Sequence, residues 1–218
     1  MSSPFRACGR RLIAAAVVAS TLGLSGCFGL AVTGAAIGTI AVLDRRSIGA
    51  QTEDQTIELR GMRVLGESVN RDKRNAAAVT SFNRRVLLTG QVDSEATRQM
   101  AEEVVRTRVP NIKDIYNELE VAPVGSFADK TEDSTLTARV KAGMVRERHL
   151  TASAIKVVTE RNSVYLMGVV THEEGQRASI VASQVAGVKR VVTLFEYVTD
   201  AELAKIQGTD GPEEKGQK

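Results

Sequence analysis

Ile57, Gly61, Val64 and Leu65 stand at i, i+4, i+7 and i+8, the stripe of an amphipathic helix. From Ala76 the spacing shortens, and "AAAVTSFNRRVLLTGQV" predicts two strands joined by a tight turn near Asn83-Arg84. Asp93-Ser94 then offers an N-cap to a second helix, "EATRQMAEEVVRTRV", which Pro110 ends. "IKDIYNELEV" alternates as a last strand. The whole succession returns further on. Leu136, Val140, Gly143 and Met144 form the stripe, and the turn falls near Arg161-Asn162. "THEEGQRASIVASQV" is the helix, Gly187 the break and "VKRVVTLFEYV" the strand.

The return is a repeat in residues as well as in pattern. An offset of 79 pairs Ile57 with Leu136 and Val64 with Gly143; an offset of 78 pairs Leu88 with Leu166 and Gly90 with Gly168. Beyond a short loop the offset becomes 76 and pairs Val109 with Val185 and Glu120 with Glu196. The chain therefore reads as α+β, with two tandem modules of order α-β-β-α-β. Each has a three-stranded sheet covered on one face by two helices. The expected bounds are a leader at 1–26, a modified Cys27 and flexible tether at 27–54, and a first module at 55–122. A linker at 123–133, a second module at 134–199 and a disordered tail at 200–218 complete the chain.

The copies differ where a contact would be made. Gly90 and Gly168 sit in mid-strand, where glycine marks a close approach, expected here from the second helix crossing the sheet. On the face away from the helices the first copy shows Leu87, Thr89 and Gln91, which water tolerates. The second copy shows Tyr165, Met167 and Val169, an apolar patch that needs a cover: the first module, another protein or a membrane. It is a candidate protein contact.

Charge also separates them. The formal net charge of +3 comes from the first 26 residues, which hold Arg6, Arg10 and Arg11 and no acid. The rest carries 26 basic and 26 acidic side chains, which removes the main support for nucleic acid as a partner. Within the modules, residues 55–122 net +1 and residues 134–199 net +4. On the first helix of the second module, at about 100° per residue, Ala138, Ala142 and Val145 lie opposite the core stripe. Arg139 and Arg146 flank them on one side and Lys141 on the other. A small apolar ridge between cationic edges suits an anionic phospholipid surface; the same residues also suit a helix kept soluble by its arginines.

The basic N-terminus precedes an apolar run, "LIAAAVVASTLGL", and then Leu24-Ser25-Gly26-Cys27. This reads as an export signal ending in a motif that resembles the bacterial lipobox, with Cys27 the expected acyl acceptor and palmitate the expected modification. The alternative is an uncleaved anchor through the apolar residues 28–43, which are short for a span of about 20. Cys8 leaves with the leader, so no thiol or disulfide is expected in the mature chain. Phe28 rather than aspartate after the cysteine directs such a protein to the periplasmic face of the outer membrane.

Catalytic chemistry is not expected. His149 and His172 have no counterparts in the first copy and no cysteine to join as ligands. Glu102-Glu103 and Glu173-Glu174 are adjacent acids on amphipathic helices and point to different sides. No phosphate loop, nucleophile elbow or metal spacing is present, so no cofactor, no metal and no enzyme is read.

"VLLTGQV" with "NIKDIYNEL", and "VYLMGVV" with "GVKRVVTLF", resemble the BON domain. Joined to a lipobox and the segment "DRRSIGAQTED", the pair resembles dual BON-domain outer-membrane lipoproteins over nearly the whole chain. One departure is Pro110-Asn111 where the second copy has Ala186-Gly187. The resemblance implies an anchored, non-enzymatic protein that binds anionic phospholipid and supports envelope integrity. The alternative is an adaptor that docks an envelope protein through Tyr165, Met167 and Val169.

Overall fold

The computed structural model describes residues 44–208. The leader, Cys27, the tether up to residue 43 and the tail from residue 209 lie outside the described residues.

The first module consists of α1 (Ile48–Ser68), β1 (Ala76–Phe82), β2 (Arg85–Val92), α2 (Glu95–Arg108), β3 (Asp114–Asn117) and β4 (Glu120–Val121). The second consists of α3 (Phe127–Arg146), β5 (Ile155–Glu160), β6 (Ser163–Val170), α4 (His172–Ser183) and β7 (Arg190–Tyr197), after which α5 (Asp200–Gln207) follows. In each sheet the second strand is central. β1 runs antiparallel to β2 while β3 and β4 run parallel to it in one lane, broken at Glu118-Leu119. β5 is antiparallel and β7 parallel to β6, with β7 unbroken from Arg190 to Tyr197.

Alternation along the central strands divides the side chains between two environments. Val86, Leu88 and Val92 join Ile57, Leu65 and Val105 in the first core; Val164, Leu166 and Val170 join Val140, Met144 and Ala182 in the second. The opposite faces form a third cluster in which Phe82 and Leu87 pack on Tyr165, Met167, Val169 and Leu194. The cover for the second copy's apolar patch is the first module itself.

That packing corrects two expectations. Leu87, Thr89 and Gln91 are buried, not wetted. Gln91 is satisfied because its Nε2 donates to Glu160 Oε1 at 2.6 Å and its Oε1 accepts from the Gly125 amide at 3.2 Å. Tyr165, Met167 and Val169 are equally buried, so they are not open to a separate protein.

Three helix starts also lie earlier or later than the sequence bounds. Ser47 caps α1, so the helix takes in residues assigned to the tether. Ser126 and Asp129 form a capping box that starts α3 inside the expected linker. Thr199 and Glu202 form another, and α5 occupies the start of the expected disordered tail until Gly208 ends it at φ 64°.

Both hairpins turn on left-handed pairs, Asn83 and Arg84 (φ 52° and 66°) and Arg161 and Asn162 (φ 48° and 62°). One buried carboxylate holds each turn. Asp54 accepts from the amides of Asn83 at 2.7 Å and Arg84 at 2.8 Å, and Asp133 from those of Arg161 at 2.8 Å and Asn162 at 2.9 Å. The Pro110-Asn111 departure is conformationally conservative, since Asn111 (φ 66°) and Gly187 (φ 102°) are both left-handed.

The mid-strand glycines answer to the backbone where the neighbouring antiparallel strand begins, not to the second helix of their module. A Cβ on Gly90, at φ 111°, would sit 1.9 Å from the Ala76 carbonyl oxygen; on Gly168 it would sit 2.7 Å from that of Ala154. Gly90→Ala should therefore cost on the order of 2 kcal/mol through backbone strain. Gly168→Ala should cost less, because Gly168 has no positive φ. Thermal denaturation of the two variants checks the order.

Candidate functional site

α3 buries Leu136, Val140 and Met144, the last two in the second core. Gly143 lets it approach α4, where an added Cβ would meet Val181 Cγ1 at 3.0 Å. The opposite side is bare. Ala138, Arg139, Lys141, Ala142, Val145 and Arg146 are all exposed. Because the helix begins at Phe127, the outward stripe is longer than the sequence suggested. Phe127, 86% exposed, lies at one end and Val145, 74% exposed, at the other. Their separation of eighteen residues is five turns, about 27 Å at 1.5 Å per residue.

The charges on this face are unspent. No carboxylate among the described residues lies within ion-pair distance of Arg139, Lys141 or Arg146. The acids of the same helix are occupied elsewhere. Asp129 caps it, Asp133 holds the β5–β6 turn, and Glu132 accepts from Asn162 Nδ2 at 3.0 Å. The arrangement offers an elongated apolar strip with fixed positive charge toward its C-terminal half. Phe127 was missed because the linker assignment hid it; the Ser126-x-x-Asp129 spacing was the available signal.

Beside this strip lies a cleft of about 530 Å³ to which both modules contribute. Lys141 and Val145 form one wall, and Phe82, Ile155 and Arg46 the other parts. The Arg46 guanidinium rests over the Phe82 ring at 4.1 Å from its centroid.

α1 repeats part of the design. Ile48, Leu59 and Met62 are exposed along its outer side, and Arg60 and Arg63 have no ion pair among the described residues. The offset of 79 places Ile48 at Phe127's position and Leu59 at Ala138's. It also places Arg60 where α3 has Arg139, but Met62 where α3 has Lys141, Gly66 where α3 has Val145 and Glu67 where α3 has Arg146. α1 thus keeps one of the three cations and carries an acid in place of another.

The seam between modules is polar at its margin. Arg190 Nη2 donates to Glu118 Oε2 and to the Tyr165 hydroxyl, both at 2.8 Å. Burial pushes that hydroxyl up to about 12. Burial also raises Glu160, against the opposing effect of the Gln91 amide. His149 is exposed in a loop, and His172 opens α4 with its ring stacked on Tyr197 at 4.2 Å. Among the described residues no cluster of three or more His, Cys, Asp or Glu is placed to hold a metal ion, and no helix is long and apolar enough to cross a membrane.

The profile of the BON domain matches residues 53–123 and 132–199. The chain is 32% identical to the outer membrane lipoprotein DolP of Haemophilus influenzae, over 84% of this chain and 95% of that protein. It is 27% identical to a 21 kDa hemolysin of Actinobacillus pleuropneumoniae, over 72% of this chain and 80% of that one. The solved structure of CdsD, a type III secretion structural protein of Chlamydia trachomatis, aligns at 9% identity and a TM-score of 0.28. That alignment covers 69% of this chain and 98% of the solved chain. So low a score carries no weight here.

Proposed function

The chain belongs to the BON-domain family, with two copies in tandem, and we propose that it is a lipid-anchored, non-enzymatic protein of the outer membrane's periplasmic face. Its α3 docks on anionic phospholipid, and the docked protein supports envelope integrity. The observation that carries this reading is the exposed strip from Phe127 to Val145 with Arg139, Lys141 and Arg146 free beside it.

Apolar side chains alone would make such a strip adhesive to any bilayer. The cations supply the preference for anionic lipid, each worth about 1 kcal/mol near the surface. Anchoring adds proximity. Cys27, in its lipobox, is the residue we assign to acylation, and the 17 residues from it to Asp44 span at most about 60 Å of extended chain. Likeness to a protein called an outer membrane lipoprotein supports the same placement. An adaptor reading centred on Tyr165, Met167 and Val169 lacks an open surface, since Phe82 and Leu87 occupy it.

The test is sedimentation of residues 44–218 with phosphatidylglycerol vesicles and, separately, with phosphatidylcholine vesicles. Binding to the first alone, reversed by salt, is expected. Equal binding to both, or to neither, would end the proposal.

A further inference from the structure

The segment "DRRSIGAQTED" carries, directly after Asp44, two arginines that α3 does not use and the docking reading does not need. They stand between the anchor and Ser47, the cap of α1, and they go to different modules.

Arg45 enters the second. Its Nη1 donates to the Val169 carbonyl oxygen at 2.9 Å and to Glu174 Oε2 at 2.7 Å; its Nη2 donates to Glu174 Oε1 at 2.6 Å and Thr151 Oγ1 at 3.2 Å. The planar guanidinium thus meets both oxygens of one carboxylate and reaches three parts of that module: the end of β6, the turn before β5 and the first turn of α4. Glu174 is fixed in its turn by the capping box, where it accepts from the Thr171 amide at 3.0 Å. Arg46 stays with the first module. Its Nη1 donates to Asp54 Oδ2 at 2.7 Å, and Nε and Nη2 to the Asp44 carboxylate at 3.1 and 2.8 Å, above the Phe82 ring.

We propose that Arg45 and Arg46 form a clasp through which the chain arriving from Cys27 locks the two modules in one relative orientation, making them positioning residues for the docking helix. The second half of that statement rests on the docking reading; the first does not. Other ion pairs across the seam are more exposed. Arg161–Glu120 is 42% and 42% exposed and Arg190–Glu118 48% and 26%, so both contribute little. Lys156–Glu58 at 35% and 26% and Arg85–Glu196 at 24% and 29% are still wetter than the clasp. Arg45–Glu174 is 4% and 13% exposed, so removing one partner strands the other away from water. The clasp also places the entry of the anchor beside α3, because Arg46 lines the same cleft as Lys141 and Val145. Lysine could return the charge at 45 but not the fork, which takes four hydrogen bonds.

Spin labels at Arg108→Cys and Gln184→Cys, one exposed site near the end of the second helix of each module, read the orientation in the acylated full chain held in detergent. Acylated Cys27 takes no label. A single narrow distance distribution is expected in the parent. Arg45→Met and Glu174→Gln should each at least double its width, with Arg45→Lys between them, while circular dichroism shows both modules folded. Unchanged widths in folded Arg45→Met and Glu174→Gln would overturn the clasp. If Arg45→Met unfolds, Arg45→Lys decides by the same criterion: parental width overturns the clasp, and broadening supports it. Phosphatidylglycerol binding by the same parent sample tests docking separately, so a parent that stays off vesicles ends that reading while the distances still decide the clasp.

Discussion

Asp54→Ala should lower the unfolding free energy by about 4 kcal/mol, as expected when one partner of a buried ion pair is removed. Asp54 is 2% exposed and is the common acceptor for four donors. Beyond the two turn amides it takes the Ser81 hydroxyl at 2.7 Å and the Arg46 guanidinium at 2.7 Å. Alanine would leave the Ser81 hydroxyl and both turn amides without this acceptor and leave Arg46 to Asp44 alone. It would also release a turn whose two residues, Asn83 and Arg84, both sit at positive φ without being glycine. Asp133 makes the control. It serves two amides and no arginine, so Asp133→Ala should cost about 2 kcal/mol, the range of a buried hydrogen-bond acceptor.

The Asp54 effect should also depend on pH. Burial alone would raise its pKa, but the Arg84 amide, the Ser81 hydroxyl, the Asn83 amide and the Arg46 guanidinium outweigh that and hold it below the usual carboxylate range. A depressed folded-state pKa gives stability that is complete above the unfolded value of about 3.9 and is lost as pH falls through the folded one. The gap between parent and Asp54→Ala in urea midpoints should be constant from pH 7 to about 5 and should narrow by pH 3. A gap that widens on acidification would refute the assigned role.

The repeat carried most of the architecture in plain view. Spacing alone placed both hairpin turns, the second helix's cap at Asp93 or Ser94 and the core stripe of α3, because each depends on local chemistry or on one face meeting its own sheet. What failed depended on a second partner. Leu87, Thr89 and Gln91 alternate with the core residues as a solvated face would, and only the arrival of the other module buries them. Gly90 was assigned to the wrong neighbour because a missing Cβ records a close approach but not its direction.

The ends of the modules were hidden for a different reason. Ile48 and Phe127 share the offset of 79, yet both precede the first buried apolar residue of their helices by more than two turns. The residues between are polar or small and serve caps, hairpin turns and the clasp, so no hydrophobic stripe announces them. Asp54 and Asp133 share that offset as well. A buried aspartate in a polar stretch looks like surface until its donors, thirty residues away, are placed beside it.

Replacing Arg139 and Arg146 together with glutamate should weaken binding to phosphatidylglycerol vesicles at least tenfold. Each exchange removes an attraction of about 1 kcal/mol and adds a repulsion of similar size, whereas about 1.4 kcal/mol suffices for a factor of ten. Both side chains are exposed and free of ion pairs among the described residues, so the exchange breaks no contact of the fold. The same double exchange at Arg60 and Arg63 sets the comparison. α1 has the larger apolar side chains, Leu59 and Met62, but has Glu67 where α3 has Arg146. If the cations select the lipid, the α1 variant should lose much less. Raising the salt concentration should reproduce the α3 variant in the parent, since exposed charges are screened beyond about 10 Å at 0.1 M. Phe127→Ser separates the apolar part: its loss should persist at high salt, because area removed from water, not charge, is what the ring contributes. Equal losses from the two helices, or none from α3, would remove α3 from the docking surface.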